Sequence, residues 1–249
     1  MPWRLWWHWA QQQKSAAVYK MRILSISDIE IGFIYSPMIL ERFQCIDMII
    51  SCGDLPYYYL EYIESMLNVP LYYVRGNHAS KVEYTTGGER TSPWGGENLH
   101  QRVVEDDTGL LLAGLEGCVQ YNRGPYQYTQ NEYWMKAFRM APALMINRMR
   151  FGRALDILVT HAPPWKIHDD DDRPHQGIKA FNWLINTFKP TYHLHGHIHV
   201  YRSDTVTQTQ VGPTRVINTY GYREIEIQTP AARSWQKRKR DTSTLTGTG

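Results

Sequence analysis

Short runs of β-branched and aliphatic residues recur along the chain, and polar clusters close them. Arg22–Ser27, Met48–Ser51, Leu71–Val74, Arg102–Glu105, Leu110–Gly114, Asp156–Thr160 and Tyr192–His195 read as strands. Thr205–Val211, Thr214–Asn218 and Arg223–Gln228 follow at short intervals, as hairpins would. Apolar positions take the helical period over Tyr58–Leu67, Glu132–Phe151 and Ile178–Phe188, which predicts three helices. Pro37 and Pro174 stand where further helix starts are expected. Strand and helix alternate early, and the late part is strand-rich. The pattern predicts an α/β domain built on a mixed sheet, or on two sheets packed face to face. With no internal repeat and no interior linker, a single domain is expected over residues 21–232.

The two ends differ from this pattern. Residues 1–20 hold four Trp in the first nine positions, then a Gln run. They lack the apolar stretch of a signal peptide. We read them as a poorly ordered extension, with an interfacial aromatic anchor as the rival reading. Residues 233–249 form a basic, then Thr/Ser/Gly-rich tail, read as disordered.

Composition narrows the class. The chain has 249 residues, 43% hydrophobic and 20% charged, which excludes wholesale disorder. No run is apolar for long enough to span a membrane. Three scattered cysteines exclude a disulfide scaffold and fit a reducing compartment, the cytoplasm. The net charge of +3 belongs to the tail: residues 1–232 carry 22 Lys+Arg against 23 Asp+Glu. A domain of that balance has no general attraction for a polyanion, which argues against nucleic acid.

The chemistry sits where strands end. Asp28 and Glu30 follow the first strand and Gly53-Asp54 the second. Gly76-Asn77-His78, His161 and Gly196-His197-Ile198-His199 follow three others. Ligands of open α/β sheets bind at the carboxyl ends of strands, so five such endings point to one site. Carboxylates, imidazoles and a carboxamide are oxygen and nitrogen ligands for divalent metals. Even with His78 set aside, seven candidates exceed one ion's coordination and suit two, with one carboxylate bridging.

Asp28-x-Glu30, Gly53-Asp54, Gly76-Asn77-His78, His161-Ala-Pro-Pro and Gly196-His197-Ile198-His199 together resemble the calcineurin-like metallophosphoesterase family. Any single piece carries no weight; five in order, each at a strand end, do. The resemblance spans about residues 21–228. It implies a two-sheet mixed sandwich flanked by helices, in four layers. It also implies that Asp28, Glu30, Asp54 and His199 hold a first metal, and that Asp54, Asn77, His161 and His197 hold a second. His78 would stand beside the metals as proton donor to the leaving group or as a stabiliser of phosphate charge. The implied reaction is hydrolysis of small-molecule phosphomono- or diesters, by in-line attack of a hydroxide bridging two ions. No protein nucleophile is expected: the chain shows no GxSxG, no P-loop and no Cys/His pair.

Two positions depart from the family pattern. Glu30 stands where a His is usual, and Ala79 where an acidic residue often follows. Glu30 makes the first position harder and more anionic, favouring Mn²⁺, with Fe²⁺, Mg²⁺ or Zn²⁺ as other occupants. Ala79 removes an outer partner. Both motivate a rival reading, a protein-binding scaffold with a weakened site. A nuclease, suggested by the basic tail, is the third.

Other residues are weighed more plainly. His193 and His195 are expected to be structural or to stand behind the ligands, and His8 and His100 to be ordinary surface residues. Asp169–Asp172 reads as a solvated acidic loop, because it lacks calcium-loop spacing. His175 follows closely and is a candidate for binding substrate phosphate. Tyr57, Tyr58 and Tyr59 are expected to pack their helix. Trp94, Gly95-Gly96 and Tyr121–Tyr128 are candidate walls of the pocket. Met135, Phe138, Met145 and Met149 form a core-packing or partner-facing stripe.

Overall fold

The computed structural model describes residues 18–230. The end segments 1–17 and 231–249, with His8 and the basic tail, lie outside the described residues.

Two sheets form the centre. The first contains β1 (Val18–Ser27), β2 (Met48–Ser51), β3 (Leu71–Tyr73), β6 (Gly96–Asn98) and β15 (Gly221–Pro230), in the order β15-β1-β2-β3-β6. Its strands run parallel except β15, which pairs antiparallel with β1 over ten residues, Val18↔Pro230 to Ser27↔Gly221. The second contains β7 (Val103–Glu105), β8 (Leu111–Leu115), β11 (Ile157–Thr160), β12 (Tyr192–His195), β13 (Gln208–Val211) and β14 (Thr214–Asn218). Its order is β13-β14-β12-β11-β8-β7, parallel inside and antiparallel at both edges. Short pairs β4 (Glu83–Thr85) with β5 (Gly88–Arg90), and β9 (Cys118–Val119) with β10 (Gln127–Tyr128), lie apart from the two sheets.

Alternation along the strands sorts side chains into layers. Ile23, Met48, Ile50, Ile157 and Val159 turn inward and fill the space between the sheets. Leu24, Ile26 and Ile49 turn outward onto α1 (Met38–Arg42) and α2 (Tyr57–Leu67), meeting Ile39, Tyr59, Leu60 and Ile63. Ala113, Leu115, Leu158 and Val216 turn outward onto α3 (Gln130–Phe151) and α4 (Lys179–Phe188). The central strands are buried on both faces, so β2 and β11 are apolar runs rather than alternating ones. The architecture is the expected four-layer sandwich.

Several elements depart from expectation. β1 begins at Val18, because β15 is long enough to pair with three residues ahead of Met21. α3 begins at Gln130, set by a capping box in which Thr129 and Glu132 bond reciprocally. It stops at Gly152, whose left-handed φ of 73° a side chain would resist. Its buried face is Tyr133, Ala137, Met140 and Leu144. Met135, Phe138, Met145 and Met149 point to solvent, so they are not core. Pro37 does cap a helix, α1, whereas Pro174 lies in a turn and starts none.

Candidate metal centre

The chain turns sharply as it leaves the strands. Asp28 (φ 69°), Gly53 (φ 103°), Asp54 (φ 55°) and His197 (φ 68°) are left-handed, three of them non-glycine positions that also offer ligand atoms. Such strain persists only where the surroundings hold it. The loops approach closely: a side chain at Gly76 would overlap the Asp54 carboxylate, and one at Gly196 would lie 2.6 Å from Asp28 Oδ2.

Four acceptor atoms meet at the centre. His161 Nε2 lies 3.1 Å from Asp54 Oδ2, 3.0 Å from Asn77 Oδ1 and 3.1 Å from His197 Nδ1. Partners behind each group fix what it presents. His161 Nδ1 donates to the Cys52 carbonyl at 2.8 Å, and His197 Nε2 to the Pro174 carbonyl at 2.9 Å. In its neutral form each imidazole then turns a lone pair inward. Asn77 Nδ2 donates to the Tyr121 hydroxyl at 3.2 Å, which aims its oxygen inward. The His78 amide donates to Asp54 Oδ1 at 2.8 Å. Two imidazole nitrogens, a carboxylate and an amide oxygen with no donor among them fit a divalent cation. The ligand atoms of Asp54, His161 and His197 all lie within 4.8 Å of one another.

Protonation follows from the same crowding. Burial would lower the His161 pKa, but Asp54 and Asp28 outweigh it and raise it to about 9. Burial would raise Asp54, but His161 and the His78 amide bring it down to about 2. Burial and the charge on His161 together push His197 down to about 3. Without a cation, one proton on His161 thus takes the cation's place among the acceptors.

The other expected ligands have different partners. Asp28 accepts the His197 amide at 3.0 and 3.1 Å, and burial raises its pKa. Glu30 is exposed and accepts the Tyr58 hydroxyl at 2.6 Å. His199 is exposed, with Nδ1 2.7 Å from the Tyr201 hydroxyl and its ring against Tyr220. His78 is exposed beside Asp54. The His175 ring centre lies 5.2 Å from that of His197, and its Nδ1 is 2.8 Å from Asp172. Asp170, Asp172 and His175 also have metal-ligand spacing, on the surface.

Some residues behave otherwise than the sequence suggested. His100 is not a surface residue: it is largely buried against Glu116 and Tyr128. Trp94 and Gly95-Gly96 do not roof the centre, since Gly96 pairs with Leu71 at the far end of β3. Tyr58 does not pack its helix, whereas Tyr57 and Tyr59 do. His193 and His195 are buried, the first bonded to Thr160 and the second to His168. Sequence reasoning missed the carbonyls of Cys52 and Pro174, which carry no residue signal, and His168, which no motif marks.

The calcineurin-like phosphoesterase family profile matches residues 21–201, well over half of the chain. The chain belongs to the calcineurin-like phosphoesterases. An uncharacterized protein of Haemophilus influenzae is 27% identical over 166 residues, 62% of this chain and 71% of that protein. Among solved structures, the protein TT1561 of Thermus thermophilus matches with a TM-score of 0.55 at 14% identity, over 85% of this chain and 99% of its own. That likeness is one of fold. Members of the calcineurin-like family are phosphoesterases that typically bind divalent metals, and the inward-facing acceptors described above suit such ions.

Proposed function

We propose that this chain hydrolyses phosphomono- or diesters of small molecules with two divalent cations, Mn²⁺ preferred. The convergence of Asp54, Asn77, His161 and His197 on one point, each oriented from behind, is the observation that supports it. When bound, the cations supply positive charge to the phosphoryl oxygens and ease deprotonation of water near neutral pH.

The chain's own groups have separable tasks. Asp54 presents one oxygen to the centre and is anionic at any working pH, as a bridging carboxylate must be. Asp28, Glu30 and His199 would hold one cation with it. Asn77, His161 and His197 would hold the other. His78, exposed and tethered through its amide to Asp54, stands where it can protonate a leaving oxygen. His175, whose ring lies beside that of His197, would bind substrate phosphate. The buried thiols of Cys52 and Cys118 are both pushed up to about 12 by burial, which keeps them protonated and unfit as nucleophiles.

One measurement tests this. Metal content of the purified protein is paired with Mn²⁺-stimulated hydrolysis of bis-p-nitrophenyl phosphate and p-nitrophenyl phosphate. About two metals per chain with turnover is expected, and the preferred ester separates diesterase from monoesterase. One metal or none, without turnover, overturns it. That result would favour the second reading, a weakened scaffold. Its support is that Glu30 and His199 are both engaged by tyrosine hydroxyls rather than by the centre.

A further inference from the structure

The loop carrying Asn77 and the loop carrying His161 come from different sheets, yet their ligand atoms lie 3.0 Å apart. The segment after β8 joins them. Gly117 N donates to the Arg75 carbonyl at 2.8 Å, and Gly117 O accepts from Ala162 N at 3.3 Å. Gly117 has φ 75°, and any side chain there would collide with the Tyr126 carbonyl. One residue's backbone therefore bridges the residues flanking both ligand loops.

The neighbouring side chain reinforces the Arg75 end of this connection. Glu116 is 4% exposed. Its Oε1 accepts from Tyr128 at 2.7 Å, its amide donates to His100 Nδ1 at 3.1 Å, and its carbonyl accepts from Tyr133 at 2.9 Å. With the rest of the residue so tied, Oε2 faces the Arg75 guanidinium at 3.6 Å. Arg75 in turn donates from Nε to the Tyr57 hydroxyl at 3.2 Å and from a terminal nitrogen to the Thr91 carbonyl at 2.8 Å. Tyr57 donates to the Ser80 carbonyl at 3.2 Å. Arg75 and Ser80 bracket the turn that holds Asn77 and His78. Oε2 has no hydrogen-bond partner and is held only by the charge of Arg75, and a buried carboxylate so placed is costly to keep unless paired. Nothing in the expected chemistry uses it.

We infer that Glu116 is a positioning residue: through Arg75 it sets where Asn77 stands relative to His161, and so sets the affinity of the centre for its cation. Glu116 touches neither the centre nor a substrate. The inference rests on the metal-centre reading above.

The test is a double-mutant cycle on Mn²⁺ affinity, read by titration calorimetry, with Glu116→Gln, Arg75→Gln and the pair. Thermal unfolding of each metal-free variant serves as the control for fold. Each single change is expected to weaken Mn²⁺ binding about tenfold, the lower range for outer partners of metal ligands. The pair is expected to be no weaker than the worse single, since both cut one connection. Additive losses would mean two independent structural effects and would overturn the inference. So would Mn²⁺ binding within about twofold of wild type in Glu116→Gln. If the Glu116 variants fail to fold, Arg75→Lys carries the test: it keeps the charge but not the fork, and wild-type affinity there overturns the inference. A wild-type chain that holds no Mn²⁺ overturns the metal-centre reading and this one together. Binding by wild type with no loss in the variants overturns this one alone.

Discussion

The inner and outer parts of the centre are built differently. Asp54, Asn77, His161 and His197 are held from behind by backbone or by a tyrosine hydroxyl, and their free atoms already face one another. Glu30 and His199 are exposed, and each is bonded to the hydroxyl of a tyrosine beside it. The inner group is set by folding. The outer group is exposed and takes its partners from neighbouring tyrosines. On the proposed two-cation reading, the difference would decide each cation's affinity in a different place: in the fold for the inner position, in a competition with tyrosine for the outer.

The largest expected effect would come from breaking the inner group. His161→Ala removes the atom that all three other acceptors face. It should lower Mn²⁺-dependent hydrolysis by more than about a hundredfold, the upper range for loss of a mere outer partner. Steady-state rates on the preferred p-nitrophenyl ester check this. A loss under about tenfold would put His161 outside the machinery.

A paired change sharpens the contrast. Tyr121→Phe frees the Asn77 amide to turn and should weaken inner-position binding about tenfold. Tyr58→Phe releases Glu30 and should change total affinity only a few-fold, at the outer position. Calorimetric titration with Mn²⁺ separates the two steps. Equal losses in both variants would erase the distinction.

The smallest effect concerns the metal-free chain. The His161 pKa is raised from 6.5 to about 9 on folding. Stability from that group is therefore complete below about pH 6.5 and is lost as pH rises through about 9. The urea midpoint of metal-free protein should fall over this window. Saturating Mn²⁺ should flatten the dependence, because the cation replaces the proton.

How much of this was legible in the chain differs in the same way. Asp54, Asn77, His161 and His197 follow apolar strands, with glycine beside three of them, so their convergence could be read from order alone. The direction of the Glu30 side chain could not, since it depends on Tyr58, which enters from α2. Nor could the burial of His100, which depends on Glu116, sixteen residues later and on another strand's end. On α3 the spacing yields two apolar faces, and sequence alone does not rank them. Tyr133, Ala137, Met140 and Leu144 are inside because they meet Phe181 and Leu184 of α4 on the second sheet.

The pairing of β1 with β15 also has a temporal consequence. The strand that delivers Asp28 is zipped over its whole length to the last strand described, almost two hundred residues later. During synthesis, Ile23–Ile26 can pair with β2 early, but the other edge of β1 stays open until residues 221–230 emerge from the ribosome. An open apolar edge invites pairing with other chains. Contacts that distant in sequence also slow folding. The carboxylate of Asp28 is thus committed to the fold only late in translation, and a chain cut short before Gly221 would be born with a sticky edge beside an unfinished site.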